Sequence, residues 1–101
     1  MAKKIKLLKF SAKWCAPCHA MKPIVKKFVE AHPEVEVVEV DIDTKDGEKK
    51  STKYGVSAVP TFVFVDPRGV PGVSLAAVVG AVKLTELEKC LASAVKVSKA
   101  S

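Results

Sequence analysis

The sequence predicts an α/β fold, a four-stranded mixed sheet flanked by helices, with elements in the order β-α-β-α-β-β-α. Three observations carry this. In the first half, apolar runs of strand length alternate with segments of helical period, the pattern of a parallel crossover unit. In the second half, two strand-like runs flank "PRGVPG" at 67–72, which is hairpin chemistry. An amphipathic segment then closes the chain.

Taken in order, "KIKLLKFSA" (4–12) reads as the first strand. In "AMKPIVKKFVEAH" (20–32), Met21, Ile24 or Val25, Phe28 and Val29 recur at helical spacing, which predicts a helix from about Cys15 to Ala31. Pro23 lies inside it and should kink it, because its ring removes a backbone donor and clashes with the preceding turn. "EVEVVEVDI" (34–42) is a Val/Ile-rich strand, and the polar "TKDGEKKSTKYG" (44–55) a short helix ended by Gly55. "PTFVFVD" (60–66) and "VSLAAVV" (73–79) are the hairpin strands. The last helix should start at Thr85, which with Glu88 fits a capping box, and line one face with Leu87, Leu91 and Ala94 or Val95. Residues 1–101 then form a single domain whose end, from about 96 to 101, frays.

Composition narrows the function classes. Of the 101 residues, 49% are hydrophobic and 28% charged, ordinary for a soluble globular domain. No apolar run approaches the ~20 residues of a membrane-spanning helix. Lys6 and Lys9 interrupt the N-terminal apolar stretch, so it does not read as a secretory signal, and a cytoplasmic location is expected. The net charge is +6, with eight lysines and no acid before Glu30. Without arginine clusters or interleaved aromatics this reads as a solvated basic face rather than a nucleic-acid surface. Its lysines surround the cysteines in sequence and bias the local potential toward thiolate and toward acidic partners.

Function rests on "KWCAPCH" at 13–19. A zinc site would need two ligands beyond Cys15 and Cys18; His19 points to another helix face, His32 lies at the far end of the helix, and Cys90 stands alone. No metal is therefore expected. A permanent structural disulfide across two residues would close too short a loop to stabilise much. A redox couple has a mechanism. A first cysteine at a helix N-terminus is favoured as thiolate by unpaired N–H groups and the dipole, and the second, one turn on, resolves a mixed disulfide intramolecularly.

The markers "WCAPC" at 14–18, Pro23, "YGVSAVPT" at 54–61 and "VGAV" at 79–82 resemble the thioredoxin family over nearly the whole chain. The resemblance implies that Cys15 is the attacking nucleophile, Cys18 the buried resolving thiol, and Cys15–Cys18 the redox disulfide. It implies a cis Pro60 facing the pair, with Pro17 supporting the motif. Val59 would offer its backbone to a substrate peptide, and Trp14, Ala16, Pro17, Val59, Pro60 and the Gly80–Ala81 turn would form an apolar docking surface. It further implies a monomer that reduces protein disulfides, is regenerated by a thioredoxin-reductase-type donor, and uses no cofactor beyond its dithiol. A disulfide oxidase or isomerase, or a non-catalytic binding module, are the alternatives.

The departures from the family pattern are specific. Ala16 stands where the commonest motif has Gly. The chain starts at what would be the family's second strand, which leaves the 35–41 strand at a sheet edge, with Glu34, Glu36 and Glu39 to blunt it. Six residues before Cys15 the family has a buried Asp, answered by a Lys on the neighbouring strand; here the residues are Lys9 and Glu39. The expectation is a supporting ion pair of swapped sign, with both groups largely away from water. Cys90 is expected as a small core residue, His19 on the helix surface, and Tyr54 packed under the following turn.

Overall fold

The apolar runs become strands of one sheet. In this computed structural model, which describes residues 5–100, β1 (Ile5–Ser11) pairs in parallel with β2 (Val35–Asp41). The strands β3 (Thr61–Val65) and β4 (Ala76–Val79) form an antiparallel hairpin, and β3 also pairs antiparallel with β1. Among the described residues the strand order is β2-β1-β3-β4, so β2 is an edge, and Glu34, Glu36 and Glu39 are exposed along it. Lys4, expected at the start of β1, lies outside the described residues.

Alternation within β1 feeds two cores. Ile5 and Leu7 face one side with Phe62 and Phe64, under α2 (Lys22–Ala31) and α4 (Leu84–Ala100); Leu8 and Phe10 face the other with Val40, Val63 and Val65. Strand β3 is buried at every position because both faces are covered. Phe10, Phe28, Phe62 and Phe64 are all less than 2% exposed, each worth roughly 1.5–3 kcal/mol of burial. Tyr54 packs against Phe10, ring centroids 6.3 Å apart.

The helix expected over 15–31 is two helices. Met21 separates α1 (Ala16–Ala20) from α2, in which Pro23 is the second residue. The proline ring cannot tolerate the helical carbonyl of the turn before it, so the chain ends one helix and restarts another. Met21, Val25 and Phe28 are buried, whereas Val29, expected on the same face, is 37% exposed.

Helix α3 (Lys45–Lys53) is capped at both ends. The Gly47 N–H donates to the Thr44 Oγ1 at 2.9 Å, and acids in the first turn and lysines in the last complement the helix dipole. A Cβ on Gly47 would run into the Asp41 carbonyl oxygen, so only glycine lets α3 sit this close to the end of β2. At the other end Gly55, at φ 68°, follows the cap Tyr54, and the N–H groups of Gly55 and Val56 donate to the carbonyls of Thr52 and Ser51.

Helix α4 begins at Leu84, one residue before the expected Thr85. The reach-back is made by Glu86, whose Oε1 accepts from the Lys83 N–H at 3.5 Å, so Thr85 and Glu88 do not form the box. The helix also continues to Ala100, where fraying from about 96 is expected; the segment has no glycine or proline to stop it. Ser101 lies outside the described residues.

Candidate active site

Strand β1 ends at Ser11, and the parallel pairing with β2 continues one step further, the Ile42 N–H donating to the Ser11 carbonyl at 3.0 Å. The carboxyl ends of these parallel strands are where an α/β sheet opens to ligands. The cysteine motif follows there. Cys15 has extended backbone (φ −88°, ψ 105°) and is the N-cap of α1. Pro17 in the first turn removes a donor that would have had no partner in the helix.

Cys15 and Cys18 are joined as a disulfide, with Cα atoms 5.2 Å apart. The Cys18 N–H points at the Cys15 Sγ, 3.2 Å away, so Cys15 caps the helix with its sulfur. The two are almost equally buried, at 4% and 3% exposure. Exposure does not distinguish them; the capping hydrogen bond, made only by Cys15, does. With Ala12 they pack against Ile42 and Val59.

The loop carrying Val59 is held from both sides. Thr61 Oγ1 donates to the Ala58 carbonyl at 2.6 Å, and the Gly80 N–H donates to the Pro60 carbonyl at 2.7 Å. The Val59–Pro60 peptide is cis. Pro60 itself is less than 2% exposed, so its ring offers no free face to the docking surface on which it was expected. Trp14 (68% exposed), Ala16, Pro17 and Ala81 are exposed around the pair, and Val59 and Gly80 are half-buried. The Trp14 Nε1–H donates to Asp43 Oδ2 at 2.9 Å. A groove of about 360 Å³ runs from Trp14 to Val59 over Ile42, Val56 and Ala58. Sequence reasoning did not single out Ile42, Val56, Ala58 or Asp43; only their closeness to the ends of a strand and a helix hinted at them.

A thioredoxin family model matches residues 1–93. This chain belongs to the thioredoxin family. It is 38% identical over 61 residues to a thioredoxin of Ophiophagus hannah, covering 60% of this chain and 56% of that protein. It is 39% identical over 61 residues to Thioredoxin-1 of Caenorhabditis elegans, covering 60% and 51%. The chain thus matches about half the length of these curated relatives. The X-ray structure of Fasciola hepatica thioredoxin superposes with a TM-score of 0.74 at 32% identity, covering 91% of this chain and 83% of that one.

On this thioredoxin fold the ion pair of swapped sign does form. Lys9 and Glu39 are register partners on β1 and β2, and Lys9 Nζ lies 3.2 Å from Glu39 Oε1. The expectation that both are buried is corrected: the side chains are 4% and 69% exposed. Among the described residues Glu39 stands on the edge strand of the sheet, whereas Lys9 lies one strand further in. An open pocket of about 230 Å³ brings Lys9, Glu39 and Cys18 together, with Lys13, Lys22 and Asp41 on its walls.

The other singled-out residues keep their bland roles. His19 is exposed and donates through Nε2 to the Lys13 carbonyl at 2.7 Å, not to a cysteine. Cys90, on α4, is half-buried against the core, and burial pushes its thiol up. Among the described residues no three His, Cys, Asp or Glu side chains are grouped to hold a metal, and no helix is long and apolar enough to cross a membrane.

Proposed function

We propose that this chain is a thiol–disulfide oxidoreductase that reduces protein disulfides through the Cys15–Cys18 couple. The observation that carries the reading is the Cys18 N–H held 3.2 Å from the Cys15 Sγ at the start of α1. In the reduced protein that donor favours negative charge on Cys15, and the thiolate is the nucleophile. Cys15 attacks one sulfur of a substrate disulfide, and the other substrate sulfur leaves as thiolate. Cys18 then attacks Cys15 in the mixed disulfide, closing Cys15–Cys18 and releasing the second substrate sulfur. Two electrons pass from the cysteine pair to the substrate, and no cofactor beyond the pair is needed.

Docking is assigned to the exposed apolar rim of Trp14, Ala16 and Pro17 and to the half-buried Val59 and Gly80. A substrate segment lying there in extended form would meet the Val59 backbone, a short version of strand addition. Both sulfurs and the rim belong to one chain, so a monomer suffices. The electron donor is read as a thioredoxin-reductase-type enzyme, and the compartment as the reducing cytoplasm, where paired cysteines work as redox groups. Insulin disulfide reduction, coupled to such a reductase, tests this. Turnover that disappears in Cys15→Ser is expected; wild-type protein that binds but never reduces would leave a docking module instead.

A further inference from the structure

Trp14 is the largest side chain on the docking rim, and at 68% exposure little packing holds it. A ring that must be immobilised during docking costs affinity, so whatever fixes it beforehand strengthens binding. Two hydrogen bonds restrain this residue. The indole N–H donates to Asp43 Oδ2 at 2.9 Å, which ties the ring to the turn after β2. The other acts on its backbone and comes from His19.

His19 is the fourth residue of α1, and its own N–H donates to the Cys15 carbonyl at 3.3 Å, so the first turn of the helix holds its backbone. From there the ring reaches back six residues, Nε2 lying 2.7 Å from the Lys13 carbonyl oxygen. That oxygen only accepts, so Nε2 carries a proton whether the imidazole is neutral or charged, and the bond survives in both forms. The Lys13 carbonyl and the Trp14 N–H share one planar peptide unit, so holding the oxygen fixes the plane from which Trp14 projects. Residues 12–15 form a tight turn, closed by the Cys15 N–H donating to the Ala12 carbonyl at 3.2 Å. His19 adds a second bond to the same turn.

We propose that His19 is a positioning residue for substrate docking: its imidazole holds the Lys13–Trp14 peptide and so presents the Trp14 ring to the substrate already in place. The inference rests on the docking rim assigned above. His19 takes no part in the exchange of sulfurs, so its loss weakens docking and leaves attack and resolution alone. The effect is the size of one hydrogen bond, a few-fold in KM. A supporting side chain that locks a binding residue's geometry acts in this way without touching the ligand.

The test is a cycle of wild type, His19→Ala, Trp14→Ala and the double variant, assayed by insulin reduction, with His19→Gln beside them. His19 is exposed, so losing its ring opens no cavity and the variants should fold. His19→Ala should raise KM about fivefold and change kcat by less than about twofold. In the Trp14→Ala background it should change KM by less than about twofold, because the ring it positions is gone. His19→Gln, whose amide N–H can make the same bond, should bring KM back to within about twofold of wild type. Trp14 is the chain's only tryptophan, so the emission anisotropy of the reduced protein reports this ring alone, and His19→Ala should lower it. A KM for His19→Ala within about twofold of wild type, an unchanged anisotropy, or a rise in KM that persists without Trp14 would overturn the proposal. Absence of insulin reduction by the wild type, with the anisotropy loss intact, would sink the reductase reading and leave the His19 tether standing.

Discussion

Lys9 Nζ and Glu39 Oε1 are 3.2 Å apart, yet one side chain is buried and the other faces water. The pair therefore differs from a buried ion pair in its energetics. Removing Lys9 leaves a carboxylate that water already solvates. Removing Glu39 leaves a buried ammonium.

The first prediction follows. Glu39→Leu should destabilise the fold by about 1–3 kcal/mol, the cost of stranding a buried polar group. Lys9→Met should change stability by less than about 1 kcal/mol, because an apolar chain of similar length replaces a charge that is costly to bury. Urea unfolding of the two variants checks the order. A larger loss for Lys9→Met would mean that the ammonium holds more than this one partner.

Gly47 provides the second. Alanine is the better helix former by about 1 kcal/mol, but the Asp41 carbonyl occupies the space its Cβ needs. Gly47→Ala should lose about 1–3 kcal/mol through overpacking, read as a lower melting temperature. A higher one would show that α3 can slide away from β2 at no cost.

The third concerns Cys90. Its thiol is raised by burial, so less of it is thiolate at neutral pH and it should alkylate more slowly than reduced Cys15. The sign for stability follows: the folded state keeps the Cys90 proton to higher pH than the unfolded chain, so this thiol's contribution is constant below about 9 and is lost as pH rises above it. Alkylation mapped by mass spectrometry, and the difference in stability between wild type and Cys90→Ala across alkaline pH, check both. Cys90 labelling as fast as Cys15 would contradict the assignment.

The fourth concerns Trp14. It is 68% exposed and hydrogen-bonded to Asp43 at the mouth of the groove, so Trp14→Ala should leave stability within about 0.5 kcal/mol. A central aromatic anchor is worth about 1.4 kcal/mol or more of binding, so KM for insulin should rise about tenfold with a smaller effect on kcat. An unchanged KM would move docking off this rim.

Much of this was legible in the sequence, for physical reasons. The Val/Ile/Phe runs place all four strands, because β-branched and aromatic residues suit a two-faced sheet, and the pairing of Lys9 with Glu39 was implied by the resemblance to the thioredoxin family. What failed was exposure and competition. Strand periodicity cannot say that Glu39 faces water, nor that Pro60 is buried. Glu88 and Glu86 both offer a carboxylate to a helix start, and only the fold selects the Lys83–Glu86 contact. Pro23 marks a kink without saying whether the helix bends or breaks, and the chain breaks at Met21. Ile42, Val56 and Ala58 come together from separate segments, so no single stretch announces the groove.

The central claim, that Cys15 attacks and Cys18 resolves, is tested most directly by trapping. Reduced Cys15→Ser and Cys18→Ser are each mixed with a disulfide-containing protein, in a Cys90→Ala background, and run on a non-reducing gel. Cys18→Ser should accumulate a covalent adduct that dithiothreitol reverses, because attack survives and resolution does not. Cys15→Ser should form little. Equal trapping by both variants, or adduct only through Cys18, would contradict the account.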